Sequence, residues 1–252
     1  MRIMNNKDDN LTRTLELRKT HDNCNGEERL AVVMIHGIAS DSSTYHKLLE
    51  YLEEARSMEG VRFVTYDLLG AGKSYASDEL EYNYKEQLEA LDNSIQKLSL
   101  KTPLILVGHS MGALIVTRYA QEHKKAVNNL VLISPPTYTE EDLDNPAFNV
   151  AMNAFREAVS IKNREILKDK AFNNSINHIV KNRKNYKRLK EVSIPTTMIY
   201  GAEDQIIARH NISRVVKENP KYLKAVKTNG RHGISREKFA LVKEAIEEAL
   251  NA

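Results

Sequence analysis

Cysteine and tryptophan are all but missing from this 252-residue chain, which has one cysteine, Cys24, and no tryptophan. A single cysteine forms no intramolecular disulfide and cannot by itself build a thiolate metal site. Cys24 sits in a polar stretch with no base-bearing motif around it, so it reads as a bystander. Long apolar runs are missing too. The longest, Ala31–Ile35 and Leu104–Val107, fall far short of the roughly 20 residues a helix needs to span a bilayer. The opening residues, MRIMNNKDDNLTRT, contain no apolar core of the kind a secretory signal carries. Neither sign of charge is in excess: 37 Lys and Arg against 34 Asp and Glu leave a net +3. A nucleic-acid-binding face is usually denser in cations than that. These absences predict a soluble cytoplasmic protein in a reducing compartment. No membrane span, nucleic-acid partner, metal or organic cofactor is expected.

What is present is enough apolar material for a core, 41%, beside 28% charged residues. The apolar residues come in compact runs: Leu30–Ile35, Val61–Tyr66, Pro103–Val107, Asn129–Ile133, Thr196–Tyr200 and Tyr222–Val226. Runs that are continuously apolar suit strands covered on both faces. Leu11–Leu17 alternates and predicts an edge strand ahead of them. Between the runs lie helical patterns. Tyr45, Leu48, Leu49 and Leu52 share a face, as do Leu88, Leu91, Ile95 and Leu98. Ile212, Val215 and Val216 mark a shorter helix, and Phe239, Val242, Ile246 and Ala249 the last one. Strand–helix alternation predicts an α/β fold with a mostly parallel sheet and helices on both faces. One segment departs from it. Residues 135–194 show no strand pattern. Asn145 and Pro146 look like an N-cap and first-turn proline. Phe148, Met152, Phe155 and Val159 then share one face, and Phe172, Ile176 and Ile179 another. The expected organisation is a core of residues 1–134 and 195–252 with an all-helical insertion at 135–194.

The chemistry concentrates at Gly108-His109-Ser110-Met111-Gly112, a G-x-S-x-G pentapeptide. It follows the apolar run Leu104–Val107 and opens a helical stretch, which is the strand–turn–helix setting that makes the motif meaningful. A serine on so sharp a turn projects its hydroxyl beyond the sheet. Its neighbours two before and two after must be small, and glycines serve. The Met111 backbone N–H, at the helix start, is placed to meet a developing oxyanion.

A serine hydroxyl is a weak nucleophile until a base takes its proton. Downstream of Ser110 are His123, His178, His210 and His232. Only His232 sits in a turn, Asn229-Gly230-Arg231-His232-Gly233, directly after the last apolar run, so it is the candidate base. For the acid that orients it, Gly201-Ala202-Glu203-Asp204 follows the run Thr196–Tyr200. Carboxyl ends of parallel strands are where functional groups gather. Asp204 is preferred, with Glu203 as the alternative.

Met34-Ile35-His36-Gly37-Ile38 ends an earlier strand, and the Ile38 N–H is the candidate second oxyanion donor. His36 is expected to brace this loop by hydrogen bonding rather than to act as a base. Asp67-Leu68-Leu69-Gly70-Ala71-Gly72-Lys73-Ser74 superficially suggests a phosphate loop but lacks the G-x-x-x-x-G-K-[ST] spacing, and reads as a structural turn near the site.

In their order along the chain, MIHGIAS, DLLGAGKS, GHSMGA, YGAEDQI and NGRHG resemble the α/β-hydrolase superfamily, within it the small cap-bearing esterase and lipase-like serine hydrolases. The resemblance covers nearly everything after residue 11. It implies the α/β-hydrolase fold, Ser110 as nucleophile, Asp204 as acid, His232 as base, Ile38 and Met111 as oxyanion donors, and residues 135–194 as a cap. Ala208, Leu69 and Tyr45 stand where relatives often carry proline, arginine and tryptophan. The implied activity is hydrolysis of a carboxylic ester or thioester through an acyl-enzyme. Carbon–carbon bond hydrolysis, acyl transfer or a non-catalytic binding role are the alternatives on the same fold. Phe148, Met152 and Phe155 read as the face on which a helix packs, or as an apolar acyl pocket. Lys181, Arg183, Lys184, Lys187, Arg188 and Lys190 read as a solvated basic face, or as a docking site for an acidic carrier protein bearing the ester.

Overall fold

The computed structural model describes residues 14–251 apart from 25, 27, 102–103 and 163–168. Seven strands form one sheet. They are β1 (Arg18–Asp22), β2 (Leu30–Ile35), β3 (Val61–Asp67), β4 (Leu104–His109), β5 (Val127–Ile133), β6 (Thr196–Gly201) and β7 (Leu223–Thr228). Their order across the sheet is β1-β3-β2-β4-β5-β6-β7. Only β1 runs antiparallel to its neighbour. The expected α/β fold with a mostly parallel sheet is what the chain adopts.

The helices are α1 (His46–Glu53), α2 (Tyr84–Gln96), α3 (Met111–Glu122), α4 (Glu140–Asp144), α5 (Pro146–Lys162), α6 (Asp169–Ser175), α7 (Asn185–Lys190), α8 (Arg209–Glu218) and α9 (Arg236–Leu250). Successive strand side chains point to opposite faces, and the two faces are packed separately. Leu30, Val32 and Met34 of β2, with Ile105 and Val107 of β4, pack against Leu48 and Leu52 of α1 and Val242 and Ile246 of α9. Ala31, Val33 and Ile35, with Leu104 and Leu106, pack on the other side with α2, α3 and α8 through Leu91, Ile115 and Ile212. The continuously apolar runs are therefore central strands buried on both faces.

One strand lies elsewhere than the alternation of Leu11–Leu17 predicts. The edge strand is Arg18–Asp22, which is polar. Leu11 to Arg13, like Pro103 farther on, fall outside the described residues, and residues 14–17 are not strand. Leu17 is nonetheless buried, and its N–H donates to Ser94 Oγ at 2.8 Å. Leu15 and Leu17 lie in a coil segment laid on the core. The strand itself is written in charge, as edge strands often are.

Between β5 and β6 the described residues contain α4 to α7 and no strand. Thr139 opens α4 with a capping box shared with Asp142. Pro146 starts α5, and the N–H of Ala147 bonds Asn145 Oδ1 at 2.9 Å. A single π turn, Ile176–Val180, continues α6. Phe172, Ile176, Ile179 and Leu189 join the same apolar core as α2 and α3. The side chain of Val159 lies outside the described part of α5.

Candidate active site

Four strands, β2, β4, β6 and β7, end at one edge of the sheet, and each is followed by a turn carrying one of the residues singled out above. After β4 the chain turns through Ser110 at φ 52° and ψ −120°. A residue with a Cβ is strained there. A Cβ on Gly108 would lie 2.6 Å from the Ala113 backbone, and one on Gly112 would lie 2.2 Å from the Ile35 carbonyl oxygen. Both glycines are therefore demanded by contact between backbones.

His232 bridges the other two turns. Its Nε2 lies 2.9 Å from Ser110 Oγ and its Nδ1 lies 2.9 Å from Asp204 Oδ2. Asp204 is fully buried. Burial opposes its negative charge, but the hydrogen bond and charge of His232 and the N–H of Ile206 outweigh that and hold the carboxyl below the usual carboxylate range. An ionised carboxylate only accepts, so Nδ1 carries the ring proton and Nε2 presents its lone pair to the serine hydroxyl. The other carboxylate oxygen accepts from the N–H groups of Ile206 at 3.0 Å and Ile207 at 3.3 Å. The acid and base turns are themselves joined. Ala202 N–H donates to Thr228 O at 2.7 Å and Glu203 N–H to Gly230 O at 3.1 Å. A Cβ on Gly201 would sit 1.9 Å from the Gly230 carbonyl oxygen.

The turn after β2 lies against the serine: a Cβ on Gly37 would be 2.9 Å from Ser110 Cβ. His36 donates from Nδ1 to Gly37 O at 2.7 Å and accepts the Leu68 N–H at Nε2 at 2.9 Å. Burial depresses its pKa. Both nitrogens are committed to holding the loop. Met111 is the first residue of α3, so its N–H has no intrahelical acceptor. Among the described residues the Ile38 N–H makes no hydrogen bond either. Tyr45 donates its hydroxyl to Ile35 O at 2.8 Å, fixing the end of β2 from below. Asp67 accepts from Ser42 N–H and Lys73 N–H at 2.9 and 2.8 Å and shapes the Gly70–Ser74 turn.

Phe148, Met152 and Phe155 come together as a wall of a cavity of about 260 Å³ completed by Tyr138, Ile206 and Ile207. A cleft of about 580 Å³ lies beside it, lined by His232, Arg209, Arg231 and Glu203, and Gln205 and Ile206 belong to both. A larger cleft, about 780 Å³, opens at the opposite ends of the strands near Arg29 and Gly60 and includes no side chain of this site. Of the basic cluster, Arg183 pairs with Asp144, Lys187 with Glu191 at 3.7 Å and Lys190 with Glu218 at 3.6 Å. Among the described residues no group of three or more His, Cys, Asp or Glu side chains could hold a metal, and no helix is long and apolar enough to cross a membrane.

Three groups at the site escape the sequence reading: His109, Ser134 and Lys238. His109 is buried, which together with the neighbouring His232 pushes its pKa down to about 3. Its Nε2 lies 3.1 Å from the His232 carbonyl oxygen, and its Nδ1 is buried without a partner. The signal for Lys238 was available. It stands four residues before Val242 on the buried stripe of α9, where every other inward residue is apolar.

A family model described as alpha/beta hydrolase fold matches residues 31–160. A curated relative, the probable lysophospholipase BODYGUARD 2 of Arabidopsis thaliana, is 34% identical over 138 residues, 54% of this chain and 29% of that protein. Lipase 1 of Psychrobacter immobilis is 24% identical over 220 residues, 75% of this chain and 67% of that one. The chain spans less than a third of the length of the plant relatives it matches. A solved esterase from Exiguobacterium antarcticum superposes with a TM-score of 0.70 at 17% identity, over 94% of this chain and 95% of that one. At that identity the likeness is one of fold.

Proposed function

Because the chain belongs to the α/β-hydrolase family, we propose that it is a serine hydrolase that cleaves a carboxylic ester or thioester through an acyl-enzyme. The observation that carries this reading is the position of one imidazole, 2.9 Å from a strained serine hydroxyl on one side and 2.9 Å from a buried aspartate on the other. Ser110 Oγ attacks the ester carbonyl as its proton passes to His232 Nε2. The tetrahedral alkoxide takes hydrogen bonds from the Ile38 and Met111 N–H groups, donors that contribute a few kcal/mol in comparable sites. Collapse breaks the bond to the leaving oxygen or sulfur, which leaves with the proton held by His232. Water then attacks the acyl-Ser110 carbonyl, giving its proton to His232. The acid departs and the proton returns to Ser110 Oγ. Asp204 keeps the ring in the tautomer that accepts at Nε2 and balances the imidazolium.

The relatives named lipase and lysophospholipase favour ester cleavage over the other chemistries the fold hosts. Residues 135–194 serve as the cap in this reading, and 1–134 with 195–252 as the hydrolase core. The substrate's apolar part enters the cavity walled by Phe148, Met152 and Phe155. A small-molecule ester is preferred over one borne by an acidic carrier protein, since three cations of the basic cluster already have acidic partners.

A panel of p-nitrophenyl esters of increasing acyl length tests the reading, together with a fluorophosphonate probe read by intact mass. Wild-type protein should hydrolyse one or more esters and gain one adduct at Ser110. Ser110→Ala should lose the adduct and at least ~10³-fold in kcat. Folded wild-type protein that takes no adduct and turns over no ester is a binding protein on this fold.

A further inference from the structure

Lys238 of α9 is completely buried. Its Nζ donates to three successive carbonyl oxygens of the turn that carries His232: Arg231 at 2.7 Å, His232 at 3.2 Å and Gly233 at 2.8 Å. It also lies 3.1 Å from Ser134 Oγ. The His232 carbonyl oxygen receives two more contacts, from Ser134 Oγ at 3.0 Å and His109 Nε2 at 3.1 Å. A consistent proton assignment follows. The ammonium gives one hydrogen each to Arg231 O and Gly233 O and shares its third between His232 O and Ser134 Oγ, the two longer contacts, while the serine hydroxyl donates to the His232 carbonyl and His109 donates from Nε2. Donors from the end of β4, the end of β5 and the first turn of α9 thus converge on one backbone oxygen. It is the oxygen of the residue whose ring joins Ser110 to Asp204.

Removing an ammonium from water is unfavourable unless carbonyl oxygens replace the lost solvation. The other inward residues of α9, among them Phe239, Val242 and Ile246, are apolar, so packing alone would be met by a leucine or methionine. Burial lowers the amine's pKa to about 8, while Asp204 and Glu237 favour its charge. It therefore remains mostly protonated at neutral pH, with three hydrogens to give.

We propose that Lys238 is a positioning residue: with Ser134 and His109 it clamps the backbone carbonyl of His232 and so holds the imidazole in line with Ser110 and Asp204. The inference rests on the function proposed above in giving His232 the base's part. Among the described residues Lys238 makes no hydrogen bond to the imidazole or to Ser110, and its effect is transmitted through the backbone of the turn.

Lys238→Met keeps the volume and removes every donor. In the full chain it should lower kcat roughly 30- to 100-fold, the scale of a misplacement near 1 Å, and leave KM within about twofold. It should also shift or broaden the far-downfield proton resonance of the His232–Asp204 hydrogen bond in NMR. Ser134→Ala leaves the lysine in place and should lower kcat several-fold, again at constant KM. A folded Lys238→Met protein with wild-type kcat, or with reduced kcat but an unmoved resonance, overturns the proposal. Should that variant not fold, Ser134→Ala decides: unchanged kcat and resonance overturn it, and a several-fold fall in kcat at constant KM supports it. If wild-type protein hydrolyses no ester, the hydrolase reading has failed. The resonance still tests the clamp by itself, supporting it if lost in the variant and overturning it if retained.

Discussion

His109 is a histidine kept neutral by its surroundings, and this has a measurable acid signature. Burial, followed by the nearby His232, puts its folded pKa at about 3, whereas an unfolded chain protonates it near 6.5. Between those values the unfolded state binds more protons, so stability falls as pH drops through the window. The full effect is on the order of 5 kcal/mol. His36, also held neutral by burial, adds in the same direction. Asp204 adds a further loss at lower pH: its depressed folded pKa means its contribution is present above the unfolded carboxylate pKa and disappears as pH falls through the folded one. Chemical denaturation at pH 7 and pH 4.5 should show a marked drop for wild type. His109→Gln, which keeps a donor but does not titrate, should show a smaller one. Equal drops would remove His109 from the account.

Among the elements, β1 is held by charge rather than by apolar packing. Arg62 of β3 bonds Asp22 through two nitrogens, at 2.8 and 2.9 Å, and reaches Glu28 at 3.0 Å and Leu98 O at 3.2 Å. All three charged side chains are largely buried. Despite burial, the hydrogen bonds from Arg62 and Lys19 bring the Asp22 pKa down to about 2. Among the described residues Arg62→Ala would strand Glu28 and leave Asp22 with Lys19 as its one ion-pair partner, and should destabilise the protein by about 3 kcal/mol. Urea titrations of the variant and wild type at pH 7 would measure the difference; a loss under about 0.5 kcal/mol would show the cluster to be dispensable. The same element marks where sequence reading falters. Central strands are legible because burial on both faces requires unbroken apolar runs, and the expected bounds fall within two or three residues of the observed ones. β1 is solvated on its outer edge and has no such pattern, so leucines draw attention to the residues before it, of which 14–17 are not strand. Likewise Ser110, Asp204 and His232 are legible because each sits in a turn after an apolar run. Ser134 acts through a carbonyl oxygen, which leaves no mark in side-chain identity, and Lys238 shows only as the one charge on the apolar stripe of α9.

For the whole molecule, the helices between β5 and β6 do not form a separate body. Phe172, Ile176, Ile179 and Leu189 share their core with Leu91, Ile115 and Leu106. Segments that share a core unfold together. Heating followed by far-UV circular dichroism, and by the fluorescence of an environment-sensitive label on an added cysteine in α5, should give coincident midpoints in a Cys24→Ser background. Separate midpoints would mean that the insertion melts by itself.

The contact between Gly201 and Gly230 ties the turn that carries Asp204 to the turn that carries His232. With the turns after β6 and β7 seated backbone on backbone, a methyl group at position 201 would wedge them apart and lengthen the link between the carboxylate and the ring.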